Sequence, residues 1–454
     1  MRISPARVGL LWLGVSFLGA ALAQSAEESV QDPATIAWLL ISTGLVFFMV
    51  IGLAFFYGGL VRRKNALNTM MMSFVSLGIV GLTWTIVGYS FAYSGDGLLI
   101  GDLGYFMLSN VGLEGEGIPT ILDFAFQGTF AIITAALISG AIVERMRFSA
   151  YMLFITFWSV LVYAPMAKWV WGGGLFENLA GNSAIDFAGG TVVHINAAVA
   201  ALVLALMIGK RKDYGSKAML PHQVPFTLLG AGILWFGWFG FNGGSAYAAD
   251  SIAALALTNT LLAPAAAIVV WALLDMFRSG QVTAVGLATA VIVGLVGVTP
   301  AAGVVSPISA ILIGAIATFP CYFFITWRGN SRLDDSLDVF GAHGLGGITG
   351  ALLTGVFVST AWGGGVDGSA SQFVTQLLAV LIAIAYSAVA TFVIAKAISL
   401  FVPLRAEDDS EVQGLDVILH GEEAYTDGEG ALLIPVSSSP AAARAVNRPA
   451  GSKA

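Results

Sequence analysis

Charge is what this sequence has least of. Only 10% of its 454 residues are Asp, Glu, Lys or Arg, against roughly a quarter in an ordinary soluble domain. A water-soluble fold of this length needs more polar surface than that. Basic residues are the scarcer sign, and the net charge of −7 argues against a nucleic-acid partner, whose footprint would be basic. Cysteine occurs once, as Cys321, so no intrachain disulfide can form. Low hydrophobicity, which a disordered chain requires, is absent as well. Residues of the AVILMFWYC set make up 57% and Gly supplies 55 positions. Gly is frequent in membrane helices because it lets them pack closely. These excesses and deficits together read as a polytopic all-α membrane protein.

Residues 1–23 read as a secretory signal peptide. Arg2 and Arg7 form a basic start, an apolar run follows, and Ala21-Leu22-Ala23 is a small-residue cleavage site. Eleven apolar segments long enough to cross a bilayer follow, near 34–61, 66–93, 119–142, 148–170, 186–209, 224–243, 251–277, 281–298, 304–327, 338–358 and 371–403. One set of loops carries twelve basic residues, Arg62, Arg63, Lys64, Arg145, Arg147, Lys210, Arg211, Lys212, Lys217, Arg278, Arg328 and Arg332; the alternate loops carry only Lys168. The positive-inside rule then puts the mature N-terminus outside and the tail inside. The expected division is a membrane domain over 24–403 and a cytoplasmic tail over 404–454. Its last part, 427–454, is rich in Ala, Ser and Pro and is expected to be disordered.

Ionisable residues inside spans are costly and mark function by default. His194 falls in the fifth span, after Asp186, and His343 in the tenth, five residues after Asp338. Both stretches run from Asp through an aromatic and Gly to His. The fifth span enters from one side and the tenth from the other, as two five-span halves of opposite topology would give, with the eleventh span added. Such inverted repeats place a substrate path near the midplane. Two His without Cys or carboxylate at ligand spacing make a poor metal site, so neither metal nor cofactor is expected. Asp186 opens its span and fits an N-cap; attraction of a substrate is compatible with that. His222 and His420 fall in a loop and in the tail and are expected to be solvated.

Aromatic residues crowd three places: Phe124-Ala125-Phe126-Gln127-Gly128-Thr129-Phe130, Trp169-Val170-Trp171 followed by three Gly, and Trp235 to Ser245. They fit an interfacial belt, the more ordinary explanation and the one expected for Trp169 and Trp235. They also fit a vestibule where ring faces replace part of a small cation's hydration.

Over nearly all of 34–426 the sequence resembles the ammonium transporter family. The resemblance rests on Phe56-Tyr57-Gly58-Gly59-Leu60, Phe126-Gln127-Gly128-Thr129-Phe130, Glu144-Arg145-Met146-Arg147-Phe148-Ser149, Trp171-Gly172-Gly173-Gly174, Asp186 to Asn196, Gly237 to Asn242, Gly297-Val298-Thr299-Pro300 and Asp338 to Gly344, in the family's order. It implies an eleven-span homotrimer in the cell (inner) membrane, with one pore per protomer. Trp171, Phe130 and Ser245, with Phe126 and Asp186 beside them, then correspond to an external ammonium-recruitment site. Phe130 and Phe241 correspond to a stacked phenyl gate, His194 and His343 to the twin histidines of the pore, and Trp238 and Thr299 to further lining. Trp171 with Ser245 is similar to ammonium transporters proper rather than Rhesus glycoproteins. Thr129 stands where Ser is often found, and Lys168 is expected to set a cation beside the mouth. The tail up to about Tyr425 resembles the family's regulatory tail, which implies a PII-type signal protein as a partner at the cytoplasmic face. The acidic run Glu407-Asp408-Asp409 also fits a merely solvated segment.

Ammonium and potassium are close in size, so a path that admits neutral ammonia discriminates by chemistry: ammonium can shed a proton and potassium cannot. The expected activity is ammonium transport with deprotonation and net charge movement. A sensor signalling through the tail is the alternative. An enzyme is not expected, since no nucleophile or metal constellation accompanies the histidines.

Overall fold

The structure, a computed structural model, describes residues 31–425. The expected signal peptide (1–23) and the 427–454 extension lie outside the described residues. Eleven helices among the described residues are long and apolar enough to cross a membrane: α1 (Pro33–Leu60), α2 (Arg63–Tyr93), α3 (Thr120–Ala141), α4 (Phe148–Trp171), α5 (Gly190–Ile208), α6 (Val224–Gly244), α7 (Ser251–Ser279), α8 (Ala284–Ala301), α9 (Pro307–Gly329), α10 (Phe340–Phe357) and α11 (Ala370–Ser399). Each falls on an expected segment. Helices suit this setting because every backbone group within the apolar layer must be satisfied inside its own segment.

The helix ends show how the sequence sets their limits. Asp32 caps α1 by accepting from the Ala34 and Thr35 amides, with Pro33 at the first position, where its missing N–H costs nothing. Asp250 and Ser369 do the same for α7 and α11. α1 and α6, the first helices of the two expected five-span halves, lie against each other, and glycine is what lets them. A Cβ on Gly230 would stand 2.2 Å from the Phe56 amide nitrogen.

The basic loops meet at one end in a buried ion network. Glu144 accepts from the Arg62 amide at 2.9 Å and guanidinium at 3.0 Å, from Asn65 at 3.0 Å and from Arg211 at 2.7 Å. Arg211 also grips Asp334 with two parallel bonds of 2.8 and 3.0 Å. Arg145 donates to the carbonyls of Ala141 and Asp334. Burial alone would raise the Glu144 carboxyl, but Arg211 and Arg62 outweigh it and hold it down at about 2. Burial pulls the Arg145 guanidinium down to about 10.

The tail docks on this layer. Asp416 accepts from the Leu67 and Asn68 amides and so caps the start of α2's regular part. Leu415 donates to Asn65, and Lys64 donates to the carbonyls of Glu411 and Val412. Here the two remaining histidines depart from expectation. His420 takes a 2.8 Å bond with the side-chain nitrogen of Asn68 and stands edge-on to Phe148. His222 bonds the Val61 carbonyl and the Tyr425 hydroxyl. Both are packing and anchoring groups rather than solvated ones; a single sequence does not show that the tail folds back. Glu407, Asp408 and Asp409 are exposed, as a solvated run would be.

Candidate functional site

The path is built on the starts of α5 and α10. Asp186 turns its carboxylate onto four successive amides, those of Gly189, Gly190, Thr191 and Val192, at 2.6–3.0 Å. This is the N-cap role in a strong form. Gly189 makes the turn at φ 110°, a left-handed conformation that glycine adopts without strain. The chain enters α5 through a π-helical turn, Gly190–Ile195, which carries His194. Such turns recur at functional sites because they shift a side chain out of register.

The start of α10 repeats this construction, with a correction to the expected register. The equivalent of Asp186 is Asp335, not Asp338. Asp335 accepts from the Val339 and Phe340 amides at 3.0 and 2.8 Å, and it precedes His343 by eight residues, as Asp186 precedes His194. Asp338 instead holds the place of Gly189, three residues after the cap, with φ 58°, and pairs with Arg328. His343 again rides a π-helical turn, Phe340–Gly344. The aromatic-Gly-His echo in the sequence pointed to the wrong aspartate because Asp338 lies nearer the histidine.

The two turns bring the rings together. Nδ1 of His343 lies 3.2 Å from Nδ1 of His194, and both rings are buried. Facing Nδ1 atoms can share a single proton between two neutral rings. One ring then has a bare Nε2 and the other a protonated Nε2, so the pair offers one acceptor and one donor. Nε2 of His194 is buried without a partner. Beside the rings is a space of about 10 Å³, walled by Met49, Leu53, Ile133, Leu137, Trp238 and other apolar side chains. That is room for about one small molecule. Trp238 stacks on His194 with centroids 5.2 Å apart, and its indole N–H donates to Thr299 Oγ1 at 2.9 Å, so these two residues hold the ring's flank.

Phe130 and Phe241 lie beside this space. Their rings stack at 4.1 Å with planes 22° apart, and Phe241 also touches His194. Beyond Phe130 an open cavity of about 370 Å³ is lined by Tyr93, Asp123, Gln127, Phe130, Trp171, Phe187, Ser245 and Tyr247. Trp171 meets Phe130 edge-on at 6.0 Å, and its N–H donates to the Asp186 carbonyl at 2.8 Å. Ser245 donates its hydroxyl proton to the Phe241 carbonyl, which leaves its oxygen lone pairs to the cavity. Phe126 is fully buried, edge-on to Phe130 and Tyr247; it backs the Phe130 ring rather than lining the cavity. Thr129 bonds the Phe126 carbonyl within its helix, as a Ser there could.

Two expectations about this mouth change. Lys168 is 2% exposed and donates to the Gly95 carbonyl, so it is folded away behind the cavity instead of standing beside it. Trp169 is buried and donates to the Leu99 carbonyl, so it is core rather than belt. Asp123 and Tyr247 do not stand out in the sequence, and Gln127 does so only as part of the aromatic run. Asp123 carried a legible signal, an ionisable residue in the first turn of a span. Tyr247 carried none.

Residues 37–425 match the Ammonium Transporter Family. The chain is 48% identical to an ammonium transporter of Aquifex aeolicus, over 88% of this chain and 95% of that protein. It is 45% identical to an ammonium transporter of Bacillus subtilis, over 84% and 96% of the two chains. Among solved structures it is similar to Mep2 of Saccharomyces cerevisiae, at 35% identity and a TM-score of 0.77, over 84% of this chain and 88% of that one. It is also similar to a structure named as a sensor Amt protein, at 30% identity and a TM-score of 0.80, over 85% and 98%.

Proposed function

The chain belongs to the Ammonium Transporter Family, and from that premise we propose that it carries ammonium across the cell membrane as ammonia and a proton. The observation that carries the reading is the imidazole pair, 3.2 Å apart, buried beneath stacked phenyl rings in an otherwise apolar passage. Ammonium enters the outer cavity, where Trp171, Phe130 and Ser245 offset part of its hydration. Ring contacts are worth up to about 2 kcal/mol when desolvated. Asp186 aids recruitment by holding Trp171 through its carbonyl. A bare cation beyond the phenyl gate would meet a cost of several kcal/mol. Potassium cannot lower it; ammonium does so by giving up its proton. Ammonia then slips past Phe130 and Phe241 and hydrogen-bonds along His194 and His343. The shared proton between the rings gives a relay for the one removed, so transport moves net charge.

The wider setting is part of the same proposal. The outer cavity faces the exterior, and the ion network and docked tail face the cytoplasm. Three copies assemble, each with its own path. The tail and basic loops offer a docking surface for a PII-type signal protein.

Reconstituted protein on a supported membrane tests this. Ammonium pulses should give a transient current and potassium pulses none. Reversal potentials in ammonium gradients at varied pH then separate coupled proton movement from ion movement. No current, with no change of vesicle-interior pH, would overturn transport. It would favour the sensor reading that the likeness to a sensor Amt protein suggests.

A further inference from the structure

The outer cavity contains a charge that the recruitment scheme above does not use. Asp123 lines it together with Phe130, Trp171 and Ser245. Its carboxylate is held by two phenols. Tyr89 donates to Oδ2 and Tyr247 donates to Oδ1, both at 2.6 Å. Among the described residues no Lys or Arg forms an ion pair with it. The tyrosines are themselves fixed: Tyr89 stacks on Tyr105 at 5.4 Å, and Tyr247 meets Phe126 edge-on. A carboxylate in that grip keeps a lone pair on each oxygen for a further donor.

The network also decides the orientation of a neighbour. Because Tyr247 gives its proton to Asp123, its oxygen can only accept. The group that donates to it is the Gln127 amide nitrogen, at 2.6 Å. The Gln127 carbonyl oxygen is thereby turned away from Tyr247 and left with no partner. Gln127 is 7% exposed and lines the cavity. A buried, unpaired amide oxygen is costly unless something fills its place. The buried hydroxyl of Tyr93, on the same wall, is also without a partner.

We propose that Asp123 is the charge of the recruitment cavity. It draws the cation in, and through Tyr247 it sets Gln127 so that a second acceptor awaits the cation's N–H groups. The ligand class is a small monovalent cation with N–H donors and no acceptor. Ammonium fits, with four donors; the carboxylate, the Gln127 oxygen and Ser245 Oγ are the acceptors. The inference rests on the transport reading for the identity of the cation. It adds the group that concentrates the cation before the aromatic contacts act. Tyr247 is a positioning residue, since it acts through Gln127.

Asp123→Asn removes the charge and keeps the size. Two readouts apply, ammonium-evoked current and the ammonium-dependent rise of the thermal midpoint of purified protein. The half-saturating ammonium concentration should rise about tenfold in both, the weight of one charge-assisted hydrogen bond, with the maximal current reduced less. Its increase with ionic strength in the unmodified protein should flatten, since screening acts on the lost charge. Asp123→Glu should restore much of the affinity. Asp96→Asn, the same charge change in an exposed loop, should alter neither readout. An Asn variant with unchanged half-saturation and unchanged salt dependence overturns the proposal, as does one that loses only maximal current. If the Asn variant fails to fold, Tyr247→Phe decides: it keeps the carboxylate but frees Gln127. It should raise half-saturation about threefold, the share of one neutral hydrogen bond, and keep the salt dependence; no rise overturns the proposal. Should the unmodified protein bind ammonium yet pass no current, the transport reading fails while the thermal arm still judges Asp123.

Discussion

The starts of α5 and α10 are the same backbone device in opposite electrostatic settings. At α5 one carboxylate, Asp186, serves four amides, and no cation is paired with it among the described residues. At α10 the cap Asp335 serves two amides, and its neighbours Asp334 and Asp338 are neutralised by Arg211 and Arg328. The backbone needs a carboxylate at both ends, because helix-start amides buried in an apolar layer have no water to bond. What differs is the remaining charge. Among the described residues no Lys or Arg is paired with Asp186 or Asp123, whereas at the α10 end Arg211 and Arg328 pair with Asp334 and Asp338, and Arg62 and Arg211 with Glu144. On the transport reading proposed above, a cation is drawn to the α5 end, and the ion network at the α10 end stiffens the bundle.

The largest expected effect tests the path between those ends. Replacing His194 or His343 with Asp puts a carboxylate where a neutral ring stood, which stabilises a bare cation by several kcal/mol in a low-dielectric site. Potassium currents should then rise from background by more than about tenfold. Unchanged potassium flux in both variants would break the selectivity argument.

Next comes the inner network. Glu144→Ala removes the acceptor that Arg62, Asn65 and Arg211 share and leaves Arg211 with Asp334 alone, and breaking a buried pair costs about 3–5 kcal/mol. The thermal midpoint should fall further than for any variant of an outer-end surface charge. The pH profile sharpens this. The Glu144 carboxyl sits at about 2 when folded, against 4.5 ordinarily. A depressed pKa contributes stability that is complete above the unfolded value and lost as pH falls through the folded one. This group therefore leaves the midpoint flat from pH 5 to 8, and the loss begins below about 4.5. A midpoint that falls between pH 8 and 5 in the unmodified protein, but not in Glu144→Gln, would contradict it.

The two caps can be set directly against each other. Asp186→Ala orphans four amides and Asp335→Ala two, at about 1–2 kcal/mol for a lost cap and more where several bonds go together. Asp186→Ala should lower the midpoint more, and it should also weaken ammonium currents, because the turn whose backbone carbonyl holds Trp171 loses its anchor. The reverse order in a melting series would mean that the ion network, not the amides, carries Asp335's worth.

The smallest difference, between two variants of one residue, concerns Asp338, held at φ 58° where a branched side chain is strained. Asp338→Val should cost about 1–3 kcal/mol, and Asp338→Gly less, since it relieves the backbone while giving up the Arg328 pair. Equal melting of the two would show that the pair alone matters.

Much of the site is legible in the sequence. His194 and His343 stood out because ionisable groups in apolar runs have few bland explanations. The aromatic runs with interleaved Gly marked Phe130, Trp171 and Phe241. Less legible was anything resting on which way a side chain turns. Lys168 read as a cation at the mouth and is tucked against Gly95 O. Asp338 read as the partner of Asp186, and Asp335 holds that place. His222 and His420 read as solvated, though each bonds a residue far away in sequence.

Composition by itself determined that this chain is an eleven-span helical bundle, because a long apolar stretch in a bilayer satisfies its own backbone groups as a helix. Spacing by itself raised the pairing of two histidines. Tertiary structure alone decided that their Nδ1 atoms face each other at 3.2 Å, since two π-helical turns from distant segments set that distance. It alone put Asp123, Tyr247 and Gln127 in one network on the cavity wall, because a hydrogen bond depends on angle and reach across helices, and neither is written in sequence separation.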